Sequence, residues 1–456
     1  MPSVEGQDIV NIPGTHALRA LSISLALVGP TLVLAANGQA IAGTTSWPIW
    51  SIFALGALCI ALVAYSIARL VSSLETGGSA YHIATLTLGD RAGRAVGLTL
   101  CSAYLCFALA TPSATVGFLT DLAGQPDAMT PGLWSICAAA GVLAAMLLLH
   151  RNASVTRLLL MIEGGGIILL ILLFCAIIAA PSGLRAAHDI IPPVRDTGIS
   201  GLFSAVVVAF LSWAGFESCL SLTRETRSPQ TDIPRSLYGT VAVTAVLFIA
   251  VSWAVQKGFA ARLGGDMALA QSQNALGALG SAYLGRWSAV AFGVAAVASS
   301  FASTVAAMTA VGHLLGSLFP QALSPGDRAT MLVGAFVLLM QFVIPRVPWA
   351  EASPVATYGL FASCGAVCVM VAYQAVQIGF IRAIIRRQIP GHMLESGIAA
   401  VTFCTISLVL VTSLEQRGIG RKATIAGLAW CLVALIIGTT TAATRPDALS
   451  TGDRPG

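Results

Sequence analysis

Two carboxylates stand in stretches that are otherwise apolar. Glu217 lies in residues 201–237, GLFSAVVVAFLSWAGFESCLSLTRETRSPQTDIPRSL, and Glu163 lies in RLLLMIEGGGIILL. A charged side chain at bilayer depth costs at least ~2.5 kcal/mol, so each argues for a cavity, a partner or a function. Glu163 could bind a proton in alternation with a substrate, because burial disfavours the charged form of a carboxyl, or counter a cationic substrate. Alternatively it snorkels or pairs with Arg157 near the boundary. In AVASSFASTVAAM, Ala296, Ser299 and Ser300 recur at i, i+3 and i+4, which puts them on one helical face.

The elements that must position these groups follow from composition. Of 456 residues, 56% are hydrophobic and 9% charged, with mean hydropathy +0.85; an ordinary globular domain is about a quarter charged. The apolar runs are long enough to cross a ~30 Å hydrocarbon core and do not alternate as barrel strands do. Twelve spans are expected, near residues 18–43, 48–71, 95–120, 132–150, 157–180, 200–222, 238–256, 286–317, 329–345, 354–381, 396–414 and 423–443. With the N-terminus inside, fifteen of the 24 basic residues fall in cytoplasmic segments, as the positive-inside tendency requires. Both termini are then cytoplasmic, and the net charge of +5 reflects topology with no call for nucleic acid.

The ten cysteines all lie in spans, where they read as small apolar packers; neither a disulfide framework nor a metal site has the spacing it needs. No motif points to a cofactor. The first apolar run is too long for a signal-peptide core and should stay as a membrane helix. The longest polar connections, about 181–199 and 257–285, read as solvated connectors on the outer side. The division expected is a cytoplasmic segment 1–17, one membrane domain 18–443 and a cytoplasmic tail 444–456.

Two spans carry helix breakers near their middles. The first reads LSISLALVGPTLVLAANGQAIAG, with Gly29 and Pro30 at its centre. Proline removes a backbone donor and suits the first turn of a new helix. Two half-helices would leave the amides of Thr31 and its neighbours at the positive end of a dipole, an anion site fitted to a carboxylate; a simple proline kink is the other reading. The sixth span repeats the theme in Trp213-Ala214-Gly215-Phe216-Glu217. There the carbonyls of residues 211–214 would accept from an ammonium group, and the two ends together would suit a zwitterion. Paired breaks of this kind open the two halves of inverted-repeat membrane proteins, although no repeat is visible in the residues themselves.

The chain resembles the amino acid, polyamine and organocation transporter superfamily, and its amino acid permeases above all. Two motifs carry the resemblance. ARLVSSLETGGSAYHIATLTLG contains Glu75, Gly77, Gly78 and Tyr81 of the loop after the second span, and FLSWAGFESCLSLTRETRSPQTDIPRSL contains Trp213, Gly215, Phe216, Glu217, Glu225, Pro229, Ile233, Pro234 and Arg235. The departures are an acidic pair reduced to Arg224-Glu225, a first break written Gly29-Pro30-Thr31, and no lysine in the fifth span.

The resemblance implies an all-α integral membrane fold of twelve helices, a five-plus-five inverted repeat (LeuT-like) with discontinuous helices 1 and 6. The repeats would be 18–180 and 200–381, followed by 396–443. It implies a secondary transporter in the plasma membrane that moves an amino acid or related amine by symport or exchange. Gly29, Pro30, Thr31, Trp213, Ala214, Gly215 and Phe216 would bind substrate, the two aromatics closing over its side chain. Glu217 would gate beneath it, or instead make a structural hydrogen bond between helices. Coupling to H⁺ or Na⁺ would fall to Glu163, or to Ser299 and Ser300, which in sodium-coupled relatives face the first break; such hydroxyls also simply let helices pack closely. Tyr104 and Tyr373 would line the pathway or act as packing residues. Polyamine or organocation exchange is the nearest alternative. A membrane-embedded enzyme is disfavoured because the six histidines have no partnered nucleophile, and a non-transporting sensor because no soluble domain accompanies the spans.

Overall fold

Hydrocarbon offers no partner to a backbone N–H or C=O, so apolar runs of this length satisfy themselves as helices. The computed structural model of the chain has twelve helices long and apolar enough to cross a membrane among its described residues. Those residues are 15–74, 79–124, 130–150, 155–180, 198–226, 228–272, 274–320, 327–347, 353–415 and 418–440. Glu75, Gly77, Gly78, most of the 181–199 connection and the expected tail 444–456 lie outside them, as do the side chains of Arg224 and Glu225.

In chain order the helices are α1 (Thr15–Val28), α2 (Pro30–Thr44), α3 (Ile49–Ser73), α4 (Ala80–Leu88), α5 (Asp90–Leu122), α6 (Pro131–His150), α7 (Val155–Ala179) and α8 (Ile199–Ser212). A 3₁₀ segment, Phe216–Glu225, follows α8. Then come α9 (Pro229–Arg262), α10 (Gly265–Gln271), α11 (Ala275–Tyr283), α12 (Arg286–Leu318), α13 (Asp327–Val343), α14 (Pro354–Ile385), α15 (Met393–Glu415) and α16 (Ile419–Thr440). The first span is therefore two helices, α1 and α2, and the sixth is α8 plus the 3₁₀ segment. Both are discontinuous, and neither is merely kinked.

The repeat hidden in the residues is plain in the backbone. A side-chain cap, Ser79 Oγ to the His82 N–H, opens the nine-residue α4; Gly89 at φ 98°, ψ 167° then turns the chain into the 33-residue α5. In the second half Asn274 caps the nine-residue α11 in the same way, and Gly285 at φ 97°, ψ 166° turns the chain into the 33-residue α12. Only glycine adopts such backbone angles without strain. Each unit holds five spans, an odd number, so the second enters the membrane from the opposite side to the first.

The two long helices of the repeats, α5 and α12, pack on each other, and α14 lies along α5. The core sits here and on the broken first span: the most apolar stretches of Ala20–Thr44 and Asp90–Leu122 are 83% and 78% buried, against 28% for Pro131–His150 and Arg157–Ala179. The latter two show most of their apolar surface outward, which is the surface lipid covers. The three glycines of α7 do not act together. Gly164 and Gly165 face open space, whereas a β-carbon on Gly166 would strike the Thr31 hydroxyl, so Gly166 is what brings α7 against the first break.

The 257–285 connection is more than a solvated loop. It folds into the end of α9 and into α10 and α11, because Leu269, Leu276 and Leu279 bury themselves against neighbouring helices. Asn274 Nδ2 donates to Asp121 Oδ2 at 2.5 Å, and Gln256 bridges the Ile49 N–H and Asp266.

Candidate functional site

At the first break Gly29 adopts φ 59°, ψ 68°, the left-handed region. This ends α1, and Pro30 then starts α2 at the one helical position where a missing N–H costs nothing. Breaking a helix frees backbone groups, and α12 satisfies them from both sides. Ser303 donates to the Ala26 carbonyl of α1 at 3.0 Å, and the Leu32 N–H of α2 donates to Ser299 Oγ at 3.3 Å. A β-carbon on Gly29 would lie 2.6 Å from Ser303 Oγ, so the close approach needs glycine as much as the backbone angle does. The facing pair is thus Ser299 and Ser303, one turn apart. Ser300 turns toward α5, where its hydroxyl meets Thr115 Oγ1 at 2.8 Å. The expected Ser299–Ser300 pairing therefore divides between two neighbours, because residues one apart on a helix point about 100° apart.

Ser299 also donates to Glu163 Oε1 at 2.9 Å. Glu163 is 2% exposed, and among the described residues its other oxygen, Oε2, has no hydrogen-bond partner, nor does the buried Thr31 hydroxyl. Arg157 is exposed and Glu163 is buried against α12, so the carboxyl belongs to the first break and not to a boundary pair.

At the second break α8 ends at Ser212, Gly215 takes φ 93°, and the chain resumes as the 3₁₀ segment. The Leu211 carbonyl accepts from the Ala214 N–H and the Trp213 carbonyl from the Phe216 N–H, both at 3.1 Å, so two of the four expected ammonium acceptors are engaged within the turn. The two breaks interlock: the Leu27 side chain occupies the space in front of Gly215, where a β-carbon would lie 2.5 Å from it. Asn37 Nδ2 donates to Ser212 Oγ at 2.9 Å and joins α2 to α8, and the Cys219 N–H donates to Ser24 Oγ at 3.1 Å and joins the 3₁₀ segment to α1.

The aromatic residues expected to cover a bound side chain point elsewhere. The Trp213 indole N–H donates to Thr244 Oγ1 at 2.8 Å, and its ring packs between Phe53 and Phe248 at 6.0 and 5.0 Å, toward α3 and α9. Phe216 packs on Tyr373 at 5.6 Å. Glu217, 1% exposed, is held from two sides: Tyr104 of α5 donates to Oε1 at 2.7 Å and Tyr373 of α14 donates to Oε2 at 2.5 Å. Both tyrosines, left open between pathway and packing by the sequence, hold this carboxylate.

A cavity of about 30 Å³ opens at the breaks. The first span contributes Leu27, Val28, Leu32 and Val33 to its wall, the sixth Leu211 and Ala214, and α12 Ser303. α5 adds Phe107, Ala110 and Thr111, and α14 adds Tyr358 and Ala362. Of the expected binding residues Ala214 lines it directly; Gly29, Pro30 and Thr31 lie between lining residues, with the Thr31 hydroxyl turned toward α7. Sequence reasoning missed the α5 and α14 contributions. Ser303 could have been found as the next turn of the Ser299 face.

The family model described as amino acid permease matches residues 19–276, the whole of the first repeat and the second break. The chain belongs to the amino acid permease family. The chain is 24% identical over 249 residues to the branched-chain amino acid permease BcaP of Lactococcus lactis, a match covering 51% of this chain and 53% of the relative. It is 28% identical over 212 residues to the methylthioribose transporter of Bacillus subtilis, covering 44% of this chain and 45% of that one. The chain thus spans about half the length of the curated relatives it matches. Its fold is that of the crystal structure of MhsT in complex with L-phenylalanine, with a TM-score of 0.62, 13% identity, and 89% of this chain and 100% of that chain covered. That likeness gives the chain the LeuT fold.

Proposed function

We propose that this permease is a secondary active transporter that moves an amino acid or related amine across the plasma membrane by alternating access, with both termini cytoplasmic. The observation that carries the reading is the stack formed by two interlocked helix breaks, a small cavity against them, and a buried carboxylate clamped between α5 and α14 next to the second break. Substrate carboxylate would go to the amide end of α2 near Thr31, and substrate ammonium to carbonyls near Ala214. Glu217 would gate: releasing Tyr104 and Tyr373 frees the 3₁₀ segment from two helices at once. The two repeats, 18–180 and 200–381, would supply the rocking halves.

Coupling to a cation, H⁺ or Na⁺, would run through Glu163. Its unpartnered Oε2 and the chain Leu32 N–H, Ser299, Glu163 Oε1 tie one buried carboxyl to the amide end of α2. A buried carboxylate without a cation is costly, so its occupancy and the geometry of the break would change together.

Uptake of a panel of labelled amino acids and amines into proteoliposomes, under imposed proton or sodium gradients, tests the reading. Accumulation or exchange of at least one is expected. No flux for any of them would end it. The relatives carry different cargo in their names, a branched-chain amino acid and methylthioribose, so kinship alone does not choose the substrate.

A further inference from the structure

We infer that the turn joining α14 to α15 binds the headgroup of an anionic phospholipid, held by Arg386 and Arg387 above an apolar anchor of Ile385, Met393 and Leu394. The site lies away from the cavity, and nothing in it depends on what the protein carries.

Depth follows from helix length. At ~1.5 Å per residue the 32-residue α14 is about 48 Å long, more than a hydrocarbon core of ~30 Å and close to the ~40–45 Å of a whole bilayer. Its C-terminal end therefore stands among lipid phosphates. The 23-residue α15 is about 35 Å long, so Met393 and Leu394 in its first turn lie near the acyl boundary. These two are 81% and 75% exposed, the highest values for large apolar side chains among the described residues, and Ile385 is 67% exposed. At that depth the medium that covers them is acyl chain.

The turn is tightly built. The Gln388 N–H donates to the Ala383 carbonyl at 2.8 Å and the Arg387 N–H to the Ile384 carbonyl at 3.0 Å, the pair of bonds that closes a helix on a left-handed residue. Glycine usually fills that place. Here Arg387 takes φ 54°, the one positive value at a non-glycine residue among those described. Ile389 is buried, and the Pro390 carbonyl accepts from Arg69 Nη2 at 2.6 Å, so packing on both sides holds the strained arginine in place. A residue kept in such a conformation points to a function for its side chain.

Charge supplies that function. Across residues 376–400 the one acid is Glu395, and Arg69 already pairs with it at 3.3 Å. Among the described residues Arg382, Arg386 and Arg387 have no ion pair. Arg382, one turn before Arg386 on the same face, keeps a buried Nε with no hydrogen-bond partner there. Gly379 packs on Thr87, which brings this end of α14 to the α4–α5 elbow, where Asp90 is outnumbered by Arg91 and Arg94. Two guanidinium forks at phosphate depth suit a phosphodiester. A zwitterionic headgroup would bring an ammonium into this cationic cluster, whereas an anionic headgroup adds only attraction.

The test uses the full-length purified protein, delipidated in detergent, and reads unfolding temperature against added phosphatidylglycerol, phosphatidylcholine, glycerol 3-phosphate and inorganic phosphate. Phosphatidylglycerol is expected to stabilise the protein at concentrations at least about 10-fold below those of phosphatidylcholine, with the two water-soluble phosphates inert. The double variant Arg386→Gln with Arg387→Gln should lose that preference by about 10-fold while unfolding at the parent temperature in phosphatidylcholine. Arg387→Gly should unfold above the parent temperature in phosphatidylcholine, because glycine relieves the left-handed strain, and still weaken the preference. Arg421→Gln with Lys422→Gln, one span away across the membrane, should keep it. An equal response to the two lipids, an unchanged preference in both turn variants, or an equal loss in the Arg421 and Lys422 variant overturns the site. Stabilisation by either soluble phosphate that matches phosphatidylglycerol overturns the lipid as its occupant.

Discussion

Tyr373 donates to Glu217 Oε2 at 2.5 Å, with both residues 1% exposed. Together with Tyr104 on the other oxygen, this ties the 3₁₀ half of the sixth span to α5 and α14. Hydrogen bonds to a charged group contribute about 1.5–3 kcal/mol each. Tyr373→Phe and Tyr104→Phe should each lower thermal stability by roughly that amount, and Glu217→Gln should slow exchange at least about 10-fold while leaving substrate affinity within about 3-fold, since Glu217 does not line the cavity. Wild-type exchange rates in all three variants would remove the gate assignment.

Gly215 tolerates no side chain. Its φ of 93° strains any L residue, and Leu27 fills the space its β-carbon would enter. Gly215→Ala should cost about 2–4 kcal/mol from backbone strain and overpacking, read as a fall in unfolding temperature. Adding Leu27→Ala should recover part of that loss. If the double variant is no more stable than the sum of the singles predicts, the two breaks do not interlock as described.

Glu163→Gln keeps the shape of the bond to Ser299 and removes the charge. Uptake driven by a proton or sodium gradient should fall toward the level of passive exchange, with exchange itself retained. Comparing initial rates with and without each gradient decides both the role and the ion. A variant that still concentrates substrate as the parent does would exclude Glu163 from coupling.

Trp213 separates the two readings of the sixth span. Its indole bonds Thr244 and packs on Phe53 and Phe248, away from the cavity. Trp213→Phe should therefore cost about 1 kcal/mol of stability without altering the ranking of substrates in a competition assay. A changed ranking would return the indole to the binding site.

The sequence alone determined the parts whose signals are local. Apolar runs long enough to span hydrocarbon set the number of membrane spans, and Gly29-Pro30 and Gly215 mark where two of them break, because backbone angles and a missing donor act within a turn of the residue that causes them. Glu163 and Glu217 stood out because a carboxylate in an apolar run is expensive wherever the run goes. Tertiary structure decided which way each side chain faces. It sent Trp213 toward Thr244, split Ser299 from Ser300, paired Ser303 with the Ala26 carbonyl, and brought Tyr104 and Tyr373 onto one carboxylate from positions 113 and 156 residues away. The cavity walls on α5 and α14 belong to the same class. A helix's rotation about its own axis is fixed by the neighbours it packs against, and in an all-apolar span every face reads alike until those neighbours are in place.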